Sequence, residues 1–302
     1  MTSSPPPDRS PRPGDAVRPR PRPRRTFTRE QVRRRQIVAG GCLALVILLV
    51  VISCSAILGR HGGGGGGALG GGADDSAMSV PATPADAAAL SQLPKDASLG
   101  GEEALGIDVS AHQGEIDWTK VRGDGISFAY IKATEGTGFT DPQLNANWSG
   151  ARGAGVTPGA YHYFTLCSSG ADQAKAFLAA VPPSDDALPP ALDLEFDGAC
   201  EKRPEAKQAK EEVAAFIDAV EKAWGRRVVL YSSREWRDHY GLDATEDRPD
   251  WLYNDGSRPV QGDWALWQTR FDGSVAGVKG DVDIDVLRTE VLRASSSMND
   301  DA

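Results

Sequence analysis

The chain reads as an α/β protein, a parallel barrel or a related open sheet, on three observations. Short apolar runs with strand period alternate with helix-period segments over roughly 200 residues. Acidic residues recur at or near the C-terminal ends of those runs, where a barrel gathers its active-site loops. Glycine and proline punctuate the boundaries between the two kinds of segment.

In chain order, Gly106-Ile107-Asp108-Val109-Ser110 is a short strand interrupted by one acid. Ile126 to Glu135 is a second, with Glu135 at its C-terminal end, and Val156 to Phe164 is a third. Ala191 to Phe196 follows, then Val228 to Ser232, Trp264 to Thr269 and Val282 to Val286. Between them, Gln143 to Arg152 reads as a helix stopped by Gly153, and Ala171 to Val181 as one stopped by a double proline. The strongest helix runs from Pro204 to Trp224. Pro204 suits a first turn, Val213, Phe216, Ile217, Val220 and Trp224 make one apolar stripe, and Gly225 fits the C-terminal cap.

The run Ala-Leu-Asp-Leu-Glu-Phe (191–196) carries the chemistry. Strand period puts Asp193 and Glu195 on one face, roughly 7 Å apart. Two poorly solvated acids that repel each other have their pKa values driven apart, so one stays protonated beside a charged neighbour. Cleavage of a glycosidic bond needs such a pair. Asp108, Glu135 and Asp283 would join them at the same mouth.

The runs GIDVSAHQGEIDW (106–118), IKATEG (131–136), GAYHYF (159–164), LDLEF (192–196), LWQT (266–269) and GDVDID (280–285) resemble the family-25 glycoside hydrolases. These are lysozymes, or N-acetylmuramidases, built on an irregular TIM-like (β/α) barrel. The resemblance spans about residues 104–290, with six motifs in family order. It implies an acidic site at Asp108, Glu135, Asp193, Glu195 and Asp283, with Glu195 as general acid. It also implies a substrate, the peptidoglycan glycan strand, cut at the β-1,4 bond between N-acetylmuramic acid and N-acetylglucosamine. The chain departs from the family at Trp251-Leu252-Tyr253-Asn254, where the family has a smaller residue after the Trp-Leu pair.

The reaction suggests a role for each acid. Glu195 would protonate the leaving oxygen, its pKa raised by Asp193. If the substrate's own acetamido oxygen attacks, Asp193 would hold the acetamido N–H. If water attacks, Asp283 or Asp108 would be the base. Glu135 would orient sugar hydroxyls or tune the other acids. His112, in the loop after Asp108, is within reach of substrate. Tyr163, Trp251, Trp267 and Gln268 are candidates for sugar contact, although alternation lets only some aromatic residues face the pocket. His162, on an aromatic-rich strand, reads as a core or rim residue. Only three histidines fall in this domain, so a metal site is not expected, and no cofactor is implied. A glucosaminidase, cutting the other bond of the repeat, and an inactive wall-binding module are the alternatives. Five mutually repelling carboxylates argue against the module.

The N-terminal third suggests the compartment. Residues 1–36 are rich in arginine and proline and should be disordered. Residues 37–58 are 22 residues without a charge, enough to span a bilayer, and the preceding arginines predict a cytoplasmic N-terminus. A cleaved secretion signal, or a lipid on Cys54, is the competing reading. Residues 59–103, rich in Gly, Ala and Pro, read as a linker, 104–293 as the catalytic domain and 294–302 as a disordered tail. Residues 101–302 hold 20 basic and 35 acidic residues, a poor match for nucleic acid. Cys167 and Cys200 follow successive strands of the acidic set, and an oxidising compartment predicts a disulfide between them.

Overall fold

The computed structural model describes residues 78–196, 200–241, 248–260, 262 and 264–298. All lie in the second of two compact units, Gly72–Ala302. The strands are β1 (Glu103–Val109), β2 (Phe128–Glu135), β3 (Phe139–Thr140), β4 (Thr157–Tyr163), β5 (Ala191–Leu194), β6 (Val229–Ser232), β7 (Asp250–Tyr253), β8 (Trp264–Gly273) and β9 (Val282–Arg288). The helices are α1 (Trp118–Gly123), α2 (Leu144–Gly153), α3 (Gly170–Ala180), α4 (Ala206–Trp224), α5 (Arg234–Tyr240) and α6 (Thr289–Ser296). The sheet runs β1-β9-β8-β7-β6-β5-β4-β2-β3, and a further β1–β2 pairing closes it into a barrel with β3 appended as a short hairpin arm.

The barrel is not all parallel. β9 pairs antiparallel with both β1 and β8. Asp283 therefore lies near the start of its strand, not near the end as expected. Reversal of β9 brings it to the same mouth, directly opposite Asp108 in register.

Period-two alternation sorts the side chains into two apolar clusters. Phe128, Tyr130, Val229, Tyr231, Trp251, Leu266 and Leu287 pack together and fill the barrel. Ile107, Ile131, Leu192, Leu230, Ile284 and their neighbours face outward and receive the helices. Gly106 is required for this packing, because a Cβ there would lie 2.3 Å from the Phe128 ring. α4 docks its predicted stripe with Ala209 added, and Gly225 closes it in the left-handed conformation at φ 65°. It begins two residues after Pro204, whose carbonyl instead accepts the Tyr240 hydroxyl at 3.2 Å.

Two boundaries differ from expectation. Residues 78–103, read as part of a linker, pack onto the barrel. Met78 joins the interior cluster, Ala89 and Leu93 join the outer one, and the Leu105 amide donates to Thr83 Oγ1 at 2.8 Å. Scattered small residues hid these few anchors. The tail expected to start at 294 also packs: α6 continues to Ser296, whose carbonyl accepts the Arg227 amide at 2.9 Å. Among the described residues no helix is long and apolar enough to cross a membrane. The predicted segments 1–36 and 37–58, and Cys54, lie outside the described residues.

Candidate active site

Asp193 shares the inward face of β5 with Ala191. Its Oδ1 is buried with no hydrogen-bond partner among the described residues. Burial, and then the charge of Glu195, push its carboxyl well above the ordinary range; Lys132 opposes this, while Asp108 and Glu135 add to it. Glu195 stands just past the end of β5, beside Tyr163, Phe196, Cys200 and Arg203. The sequence reading raises Glu195 through its neighbour; Asp193 is itself raised, chiefly by burial.

The loop carrying Glu195 is fixed from two sides. Cys167, after β4, forms a disulfide with Cys200, with the Cα atoms 5.8 Å apart. Arg203 lies over the Phe196 ring at 4.1 Å and donates to the carbonyls of Phe196 and Cys200. Closing a loop of this length contributes about 3–4 kcal/mol in the chain-entropy picture. The Cys167→Ser/Cys200→Ser double variant should lose a comparable amount in urea unfolding; an unchanged midpoint would show the bond to be thermodynamically idle.

Across the mouth, three acids meet. Asp108 Oδ2 accepts from Gln268 Nε2 at 2.8 Å, and Gln268 Oε1 accepts from the Tyr231 hydroxyl at 2.9 Å. Burial raises Asp108 to about 6, against the hydrogen bonds from Gln268, Asp283 and Asp285. Burial and the charge of Asp108 raise both Asp283 and Asp285 well above the ordinary range. Asp285 is absent from the sequence-derived set. The alternation in Val-Asp-Ile-Asp that paired Asp193 with Glu195 also puts Asp283 and Asp285 on one face, so the signal was present.

Glu135 reaches the mouth because of a bulge. The β2–β4 register shifts between Lys132 and Thr134, so Glu135 pairs with Tyr163 on the inward face instead of following Ile131 and Ala133 outward. Lys132, a second residue not singled out from sequence, bonds Glu135 at 2.7 Å and lies 4.8 Å from the Tyr163 ring centroid.

The remaining candidates separate. His112 is exposed beside the mouth strand β1, its Nδ1 2.9 Å from Ser110 Oγ. His162 faces outward and is fully buried, held by Thr134 at 2.7 Å and Gln173 at 3.0 Å and stacked on Phe216. Trp251 is not a sugar-contacting wall. It is 3% exposed inside the barrel, packed on Tyr130 and Tyr231, and its N–H goes to Asp285 at 3.0 Å. Trp267 is fully buried in the outer cluster, bonded to the Asn254 carbonyl, and cannot meet a ligand. Gln268, 4% exposed, donates to Asp108 and fixes its orientation. The exposed aromatic surface near Asp283 is instead Tyr253 at the end of β7 with Phe271 of β8, ring centroids 4.2 Å apart.

Residues 107–278 match Glycosyl hydrolases family 25. The chain belongs to that family. The matched stretch holds Asp108, Glu135, Asp193 and Glu195, and Asp283 and Asp285 follow just beyond it. The family-25 domain is 36% identical over 194 residues to the uncharacterized protein YegX of Escherichia coli (strain K12), covering 62% of this chain and 70% of that one. It is 34% identical over 213 residues to Lysozyme M1 of Streptomyces globisporus, covering 65% and 72% respectively. In three dimensions it is similar to a family 25 glycosyl hydrolase from Bacillus anthracis, with a TM-score of 0.58 and 33% identity over 63% of this chain and 91% of that one.

Proposed function

We propose that the domain is a peptidoglycan hydrolase that cleaves the β-1,4 bond between N-acetylmuramic acid and N-acetylglucosamine, with Glu195 as general acid. The observation that carries this reading is the Asp193–Glu195 pair at the end of β5, with one oxygen of Asp193 buried and unbonded. An acetamido N–H donated to that oxygen would stabilise the Asp193 carboxylate. Glu195, at the mouth, would give its own proton to the leaving oxygen as the glycosidic bond breaks. The acetamido oxygen of the same sugar would attack the anomeric carbon, a substrate-assisted route. Asp283 is the poorer candidate for a water-activating base, because burial and the charge of Asp108 raise its carboxyl well above the ordinary range. Asp108, at about 6, is the better one if water attacks directly.

The stacked Tyr253 and Phe271 rings offer a face for a neighbouring sugar of the strand. Phe271→Ala should raise KM about threefold to tenfold, with kcat nearly unchanged, if stacking on a sugar is worth what an aromatic pair is worth. A fall in kcat at constant KM would exclude this role. Digestion of purified wall followed by borohydride reduction and mass spectrometry tests the reaction itself. Reduced muramic acid ends support a muramidase, and reduced glucosamine ends would move the cut to the other bond. No product from several wall types would leave a binding module.

The proposed setting is the outer face of the cell membrane, with residues 37–58 as a single span and residues 1–36 in the cytoplasm; a secreted or Cys54-lipidated form is the alternative. The packing of residues 78–103 confines the tether to 59–77. Ser79 meets Thr157 at the start of β4, at the barrel end away from the acids.

A further inference from the structure

Asp285 lies one layer deeper in the barrel than Asp108 and Asp283. In the β1–β9 register it faces Gly106, while Asp283 faces Asp108. It is fully buried. Its Oδ1 accepts the Trp251 N–H at 3.0 Å, and its Oδ2 has no donor among the described residues. The neighbouring hydrogens are committed elsewhere. Tyr130 donates its hydroxyl to the Pro189 carbonyl, Tyr231 donates to Gln268, and Gln268 donates to Asp108. The charged or titratable groups that face it are Asp108 on β1, Asp283 on its own strand and the Tyr130 phenol on β2. None of these is a cation. The side-chain acceptor that Asp285 meets is the Asp108 carboxyl.

Two carboxyl groups in contact in a dry barrel need a hydrogen between them. Each already receives one fixed N–H, from Trp251 or from Gln268, so donor count does not decide which one carries it. Depth does: Asp108 opens toward the mouth at 9% exposure and Asp285 has none.

We propose that Asp285 is a positioning residue that stays protonated and donates from Oδ2 to Asp108, holding Asp108 as a carboxylate in one orientation at the mouth. The inference rests on the mouth being the glycoside-cleaving site, but the proton can be observed without turnover. An asparagine can replace a protonated aspartic acid here, its carbonyl taking the Trp251 N–H and its amide donating to Asp108.

The test uses the full chain with Asp285→Asn and Asp285→Ala, read by kcat, KM, the pH profile, thermal melting and infrared difference spectra of buried carboxyl groups. In the wild type at neutral pH a protonated-carboxyl band is expected, part of which disappears in Asp285→Asn. Asp285→Asn should keep kcat within about threefold of wild type, with an unmoved acid limb. Asp285→Ala should lower kcat about tenfold or more at similar KM, and move the acid limb up by about one pH unit, because a donor to the Asp108 carboxylate is gone. The opposite pattern overturns the proposal. If Asp285 is a carboxylate, Asp285→Asn removes a negative charge beside Asp108, the acid limb moves down, and no band is lost. Should the wild type cleave no wall at all, the function proposed above fails, and the infrared band still decides the proton.

Discussion

Glu195→Gln should leave a folded protein that still binds glycan but turns over about 10²–10⁴-fold more slowly, the range expected if Glu195 is the general acid. Glutamine keeps the length and hydrogen-bonding reach of the side chain but has no proton acidic enough for a departing alkoxide. The loss should appear in kcat and kcat/KM together, with KM nearly constant, because the leaving oxygen acquires charge only in the transition state. The pinned loop gives the result its meaning. Strand β5 holds the backbone before position 195, and the Cys167–Cys200 bond and Arg203 hold it after, so the substitution changes chemistry more than shape. A mutant with kcat within a few-fold of wild type would move the acid role to another carboxyl, Asp193 first. Equal losses in kcat and melting temperature would mean that the side chain is structural.

The fold was legible where apolar period and punctuation agreed. α4 shows its stripe and its terminal glycine openly, and every predicted strand forms. What the sequence concealed was direction and depth. Nothing in Val282–Val286 says that this strand runs against its neighbours, because β9 is reversed by the loop before it and not by its own residues. Four-residue β7 was missed: its central Trp251 and Leu252 face opposite clusters, so no apolar stripe distinguishes it from a loop. The same ambiguity misplaced Trp251 and Trp267. Residue type marks a tryptophan as fit for a sugar face or for a core, and only the barrel's closure decides. Glu135 is a harder case, since strict alternation from Ile131 would aim it outward and a bulge corrects it. Asp285 was accessible in principle, through the same reasoning that found Asp193. The acids were legible as a set because carboxyls on apolar strands cost stability and so mark a place where charge is used. Their protonation was not legible, because it depends on burial.

Burial of that acid set makes folding stability depend on pH in an unusual direction. Asp108 is raised from 3.8 to about 6. A raised carboxyl favours the folded state while protonated, so its contribution is complete below pH 3.8 and is lost as pH climbs through 6, a change of about 3 kcal/mol. His162 works the other way. Burial lowers it from 6.5 to about 4, so its contribution is complete above 6.5 and is lost as pH falls toward 4, again about 3 kcal/mol. Taken alone the two nearly cancel, but Asp193, Asp283 and Asp285 are raised in the same direction as Asp108, so each loses stability as pH rises above 3.8. Above pH 6.5 His162 has no more to give, and the loss from these carboxyls continues. The melting temperature should therefore decline from about pH 4 upward. At the acid edge Glu103 adds a loss: burial pushes it up, but Arg258 and the Gly100 amide outweigh burial and hold it below its ordinary value. Asp108→Asn separates the two opposing groups. Without Asp108 one of the raised carboxyls is gone, and the fall in unfolding free energy between pH 4 and 6.5 should be smaller than in the wild type by about 3 kcal/mol. Urea titrations of both proteins across that range give the answer. A variant whose pH dependence equals that of the wild type would mean that Asp108 is not raised in the fold, and a wild type that gains stability up to pH 9 would mean that the acid cluster is solvated.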